Sequence, residues 1–364
     1  MLQLHTMLNE TNETMSEPTI CEECETHLYE QPEDRRLIDK LQVILYLYIL
    51  PVLIVTGIVG NVVTCYILRQ PMLRKRSISL YMCAYSISNI LVLILNSGIE
   101  WFGLVFDKTH FMHLSDTGCR VWQFVFRLIT YSGIWLMVGM AIDRYINIYH
   151  PIKAQELCSA FMAKVAILLI MIGLVVVSIH AMWTYEILPR GCYVDKNSQD
   201  IHRIIWPWVS GVLYSTFPLL IIFIFVSLIL LRMCWKHRLC QFQSLDGISS
   251  DVTYTTVVLA CVYFSCNTPA TVMNFVDYTI PLSWVSDPET KARLDTARTL
   301  TQFLAWINPT CLFFVWILFS RYFRKEVKAL CLSCNRENGD TIELRSPKHH
   351  NVSTNTCDSE DTPL

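Results

Sequence analysis

The chain has 364 residues, of which 53% are hydrophobic and 16% charged. Soluble domains carry about 25% charged residues, and here the shortfall falls in blocks, which points to a membrane. The formal net charge of −2 gives no support to a nucleic-acid partner.

Residues 1–40 are acidic and polar and contain no apolar h-region, so the first span is expected to act as its own insertion signal. Asn9-Glu10-Thr11 and Asn12-Glu13-Thr14 are glycosylation acceptors, which have meaning only if this end is extracellular. The tail is read as disordered. Seven stretches then reach the roughly 20 apolar residues that a span needs. They cover about 41–69, 77–101, 118–149, 160–183, 204–231, 252–280 and 296–319. An extracellular N-terminus puts the C-terminus inside. Arg69, Arg74, Lys75 and Arg76 after the first span agree with the positive-inside rule, as do Arg321, Arg324, Lys325 and Lys328 after the last. Lys291, Arg293 and Arg298 near an outer loop weaken that bias.

Cys119 opens the third span and Cys192 lies in the second outer loop, about 184–203. Both face an oxidising space, and a disulfide between them would tie the loop to the helix. Cys21 and Cys24 can pair with each other or with another outer cysteine. Asp143-Arg144-Tyr145 closes the third span. It sets a permanent cation beside a carboxylate where bilayer meets water, and leaving it there is costly without a role. The third inner loop, about 232–251, is too short for a domain. In residues 320–332, Tyr322, Phe323, Val327 and Leu330 share one face and the bases largely the other, as in an amphipathic helix on the inner leaflet. Cys331 and Cys334 can carry palmitate or stay free thiols. Residues 333–364 read as a disordered cytoplasmic tail. The fold class is an all-α membrane protein: a seven-transmembrane helix bundle over 41–319 with an amphipathic eighth helix.

Here the chain resembles the rhodopsin-like G protein-coupled receptors, over about 41–332. Gly60-Asn61 matches the family's pair in span one. Cys119 lies 25 residues before Arg144, as the family's disulfide cysteine does. Asp143-Arg144-Tyr145 with Pro151 matches the end of span three and the loop after it. Pro218 and Pro269 match the prolines of spans five and six, and Phe323-Arg324 the start of the eighth helix. Ser77-Ile-Ser-Leu-Tyr81, the run Pro151 to Cys158 and Cys266-Asn267-Thr268-Pro269 resemble invertebrate FMRFamide-type neuropeptide receptors.

There are departures. Asn89 stands where the family usually has a sodium-holding Asp, and an amide lacks the charge for that ion. Asn267 replaces the aromatic toggle of span six, and its amide is expected to hydrogen-bond instead. Span four lacks its central Trp, and Val226 replaces a Tyr of span five. Span seven admits two registers. Asn308-Pro309 is one candidate for the family's Asn-Pro, with Leu312 in place of the Tyr. Counting back from Phe323 gives Leu312-Phe313 and Trp316 instead, which fits the helix length better.

The resemblance implies a plasma-membrane receptor that binds an extracellular peptide and activates a heterotrimeric G protein. Arg144, held at rest by Asp143, is the expected pivot, and Asp251 is a candidate acid at the inner end of span six. Pro218 and Pro269 are candidate hinges. Asn61, Asn89, Asn267 and Asn308 are the polar residues of the switch region. Ligand-pocket candidates are Glu100, Trp101, Arg127, Asp277, Tyr278, Gln302 and Trp306. Glu100 and Asp277 are candidate partners for Arg127, and an Arg127–Glu100 pair can equally be structural. Trp206 and Trp208 are read as the aromatic belt. Ser353, Thr354, Thr356, Ser359 and Thr362 offer phosphorylation sites for arrestin capture. Thr362-Pro363-Leu364 resembles a PDZ-binding terminus. Membrane lipids are the remaining partner. The alternatives are a receptor for an amine, amino acid or lipid, or a channel or transporter, although the halves show no paired broken helices. Neither His-Glu-x-x-His nor Gly-x-Ser-x-Gly occurs in a span, so no enzyme, metal or cofactor is expected.

Overall fold

The computed structural model describes residues 40–106, 115–188, 191–195, 205–238, 247–279 and 287–343. Expectations for the N-terminal tail (Asn9, Asn12, Cys21 and Cys24) and for the C-terminal phosphorylation and PDZ sites lie outside the described residues. Seven helices are long and apolar enough to cross a membrane. In chain order, α1 is Lys40–Leu68, α2 Ser77–Phe106, α3 Asp116–Tyr149 and α4 Ala160–Thr184. Helix α5 covers 206–238, α6 is Gly247–Thr279 and α7 Pro288–Phe319. Lipid offers no backbone partners, so a spanning segment must satisfy its own N–H and C=O groups as a helix.

Local sequence sets several helix starts. The Ser115 hydroxyl accepts from Gly118 N at 3.0 Å, and that of Ser159 from Met162 N at 3.3 Å. Asp287 accepts from Thr290 N at 2.9 Å, with Pro288 in the first helical position. Those bonds from Thr290, side chain first, hold the exposed Asp287 carboxyl below its ordinary range.

Two helices widen just before a proline. Leu50 N–H reaches back five residues to Leu45 O, ahead of Pro51, and Phe217 N–H reaches Val212 O, ahead of Pro218. Proline has no N–H, so the usual ladder fails there and wider π turns form over Ile44–Ile49 and Val212–Thr216. Pro51 frees the carbonyl of Leu47, and Trp101 Nε1 donates to it at 3.4 Å.

The core runs down the inner half of the bundle through Met82, Tyr85, Leu136, Met137, Met140, Ile222, Leu312 and Trp316. Phe161, Leu168, Leu169, Ile172 and Val176 of α4 stay exposed, as a lipid-facing surface should. Helices α1 and α7 touch because α1 carries glycine. A Cβ on Gly60 would lie 2.7 Å from Phe313 Cβ, and one on Gly57 2.9 Å from Thr310 Oγ1. Such close backbone approach is how membrane helices gain packing contacts.

Two features differ from expectation. The second outer loop contains an antiparallel hairpin, β1 (Tyr185–Leu188) with β2 (Gly191–Val194), pairing Ile187 with Cys192. Its strands are too short to stand out in sequence beside a long apolar helix. The eighth helix, α8, is Arg321–Glu343 and continues past residue 332. No proline occurs between 320 and 346 to stop it. Cys331 is exposed on α8. Cys334 falls within the same helix, but its side chain lies outside the described residues.

Candidate functional site

At the inner end of α3, Arg144 Nη2 and Nε donate to Asp143 Oδ2 at 2.5 and 3.0 Å. Each side chain is only 5% exposed, so the pair is withdrawn from water. Asn147 Nδ2 donates to Asp143 O at 2.7 Å and to Oδ2 at 3.3 Å. Cys158 Sγ, from the second inner loop, lies 3.6 Å from the same carbonyl. Tyr145 points elsewhere, stacking on Tyr149 at 4.7 Å and meeting Phe225 of α5 edge-on at 5.0 Å. The triplet therefore splits into a closed ion pair and an aromatic contact to α5.

Asp251 does not face Arg144. Its Oδ2 accepts the Arg321 backbone N–H at 2.8 Å, at the start of α8. The first N–H groups of a helix have no internal partners and carry positive partial charge, so a carboxylate on adjacent α6 is drawn there. Ser320 Oγ accepts from Phe323 N at 3.2 Å, and Arg324 Nη1 donates to Ile317 O and Leu318 O at 2.9 and 2.7 Å. The second inner loop contains the helix Pro151–Leu157, where Ile152 is 85% exposed.

In mid-bundle, Asn61 Nδ2 donates to Gly57 O at 2.7 Å and across to Pro309 O at 2.8 Å. Asn89 Nδ2 donates to Asn61 Oδ1 at 3.2 Å, and Asn308 Nδ2 to Tyr85 Oη at 3.2 Å. Three of the four expected switch amides thus tie α1, α2 and α7 together. Asn267 does not join them. Its Nδ2 bonds Tyr263 O of its own helix at 2.9 Å, because an amide inside a helix can reach the carbonyl four residues back. In span seven, Trp316 stacks on Phe323 with ring centroids 5.3 Å apart. Pro269 and Pro309 both lie inside their helices.

At the hairpin end, the Cys119–Cys192 disulfide ties β2 to α3, with Cα atoms 5.6 Å apart. Arg127 of α3 is 7% exposed. It does not pair with Glu100, and the side chain of Asp277, the other proposed partner, lies outside the described residues. Arg127 Nη2 donates to Tyr185 Oη at 2.5 Å, and its Nη1 lies 3.3 Å from His180 Nε2. Its guanidinium also sits over the rings of Tyr185 and Trp206, at 5.0 and 4.8 Å. The expected Arg127–Glu100 pair fails because the two side chains face different neighbours. Arg127 faces α4, α5 and the hairpin, whereas Glu100 lies near Tyr46 on the α1 side. Sequence spacing did not point to His180 or Tyr185, but they are polar side chains near the same depth on the adjoining segment.

The remaining candidates divide. Trp101 is committed to Leu47 O. Trp306 is buried against Tyr46, with ring centroids 5.4 Å apart, and Gln302 is half-buried one turn above it. Asp277 and Tyr278 fall in the last turn of α6, but their side chains lie outside the described residues. Trp206 is buried beneath Arg127 and beside His180, so it is no belt residue. Trp208, 63% exposed, sits as a belt residue should.

Comparison with known proteins adds to this geometry. Residues 60–311 match the family described as 7 transmembrane receptor (rhodopsin family). Human G-protein coupled receptor 183 is 25% identical over 221 residues, covering 59% of this chain and 60% of that protein. Mouse somatostatin receptor type 2 is 23% identical over 313 residues, covering 82% and 80%. Chicken type-1 angiotensin II receptor is 25% identical over 205 residues, covering 54% and 55%. The chain spans about three fifths of the length of the first curated relatives it matches.

Proposed function

The chain belongs to the rhodopsin family of seven-transmembrane receptors, and on that premise we propose that it binds an extracellular peptide and activates a heterotrimeric G protein. It sits in the plasma membrane with its N-terminus outside. The observation that carries this reading is the closed Asp143–Arg144 pair, 5% exposed, at the inner end of α3. A buried guanidinium held by one neighbouring carboxylate can be released by a modest helix movement. Once free, it meets a helix of the partner in the groove that opens beside α3. Pro269 lets the inner half of α6 swing, and the Asp251–Arg321 bond resists that swing. Ile152 offers the partner an apolar anchor on the inner face.

The peptide part rests on separate support. Two of the similar proteins are named for peptides, somatostatin and angiotensin. The motifs at Ser77 to Tyr81 and Pro151 to Cys158 resemble FMRFamide-type receptors. Arrestin at a phosphorylated tail, a PDZ protein at Leu364 and palmitate at Cys331 and Cys334 complete the proposed partners.

The test is a neuropeptide library applied to cells expressing the chain, read by calcium and cyclic AMP. At least one peptide should give a saturable response that disappears in cells lacking G protein α subunits. A ligand-evoked ion current that survives in those cells would instead make this a channel.

A further inference from the structure

We propose that Arg127, backed by Arg120, is the anchor for a carboxylate on the ligand. This inference rests on the receptor reading and names the chemistry that the outer site selects. Arg127 lies 11 residues into α3, about 16 Å below its outer end, and is 7% exposed. A guanidinium cannot shed its proton, so burial there leaves a full charge in a medium that solvates it poorly. Among the described residues no carboxylate answers it. Its partners are a phenol, an imidazole and two ring faces.

Arg120 sharpens the point. It lies two turns above on the same face of α3, about 10 Å away along the axis. Its Nε donates to Tyr185 O at 2.9 Å, and it too has no carboxylate partner among the described residues. Two cations therefore bracket Tyr185. Asp116, the acidic residue nearest on α3, is spent on Ile187 N at 2.7 Å, where it holds the hairpin. Two cations about 10 Å apart, the lower one buried, leave a positive potential that an anion relieves.

Tyr185 marks where that anion goes. Its hydroxyl is a neutral acceptor on Nη2, and a carboxylate in the same place would accept two parallel bonds from the guanidinium fork. The Cys119–Cys192 disulfide on β2 and the Asp116–Ile187 bond on β1 hold the hairpin to α3, so a rotation of the Tyr185 side chain leaves the hairpin in place. A purely structural cage explains the ring contacts, but not a second cation above the first that has no carboxylate partner among the described residues.

The experiment uses the full-length receptor in lipid nanodiscs, with N-acetylphenylalanine and its amide as matched probes at millimolar concentration. The acid should raise the melting temperature by about 2 °C or more and the amide by less. Arg127→Gln should erase the difference, Arg127→Lys keep part of it, and Arg120→Gln reduce it. Tyr185→Phe, which removes the stand-in acceptor and keeps the ring, should enlarge it. Should Arg127→Gln fail to fold, Arg120→Gln and Tyr185→Phe carry the test. Equal shifts for acid and amide, no shift for either, or an acid preference unchanged in all these variants would overturn the proposal. None of these readings involves a G protein, so their failure leaves the coupling assignment standing, and failure of coupling leaves this site standing.

Discussion

Asp251 Oδ2 accepts the backbone N–H of Arg321 at 2.8 Å, so the inner end of α6 is fastened to the start of α8. A charge-assisted bond of this kind contributes about 1.5–3 kcal/mol. Among the described residues Arg144 is held by its own neighbour Asp143, and the Asp251 bond is one restraint on α6 that comes from outside α3. Asp251→Ala should therefore raise basal nucleotide exchange several-fold in membranes supplied with G protein. A basal rate equal to that of the parent would show that this bond does not hold α6.

Ile152 stands 85% exposed on a helix outside the spans. Burying an isoleucine against a partner contributes about 1.5–3 kcal/mol. Ile152→Asp should cut coupling efficiency tenfold or more while ligand affinity and melting temperature stay put. Unchanged coupling would remove this side chain from the partner surface.

The disulfide predicts non-additivity. Cys119→Ser and Cys192→Ser should be equally damaging to surface expression, and the double variant no worse than either. Additive losses would mean that the two sulfurs act separately.

Gly60 and Gly173 make a matched pair. A Cβ at Gly60 meets Phe313 at 2.7 Å, whereas one at Gly173 meets nothing within 4 Å. Gly60→Ala should cost about 1–3 kcal/mol and lower the melting temperature. Gly173→Ala should leave it unchanged or slightly higher, since alanine favours helix. Equal effects at both positions would refute the close α1–α7 contact.

Much of this architecture was legible because membrane burial writes itself as long apolar runs. The seven spans, the pairing of Cys119 with Cys192 and the placing of Asp143 beside Arg144 all follow from hydropathy, compartment and spacing. What stayed hidden depends on rotation and on short elements. Hydropathy says how deep Arg127 lies but not which neighbours it faces, so Glu100 was expected where Tyr185 and His180 stand. The hairpin strands are four residues each, too short for a periodic signal. Asp251 was placed correctly at the inner end of α6. Its partner is a backbone N–H, and a side-chain sequence cannot display one. Asn267 was expected to hydrogen-bond, and it does so within its own helix; which acceptor it takes is a choice between groups of equal chemistry.

Arg144 is proposed as the inner switch. The direct measurement is nucleotide exchange by purified heterotrimeric G protein on nanodisc-held receptor, comparing the parent with Arg144→Ala under an activating library peptide. Arg144→Ala should abolish stimulated exchange while peptide binding is kept. Full stimulated exchange by Arg144→Ala would contradict that role.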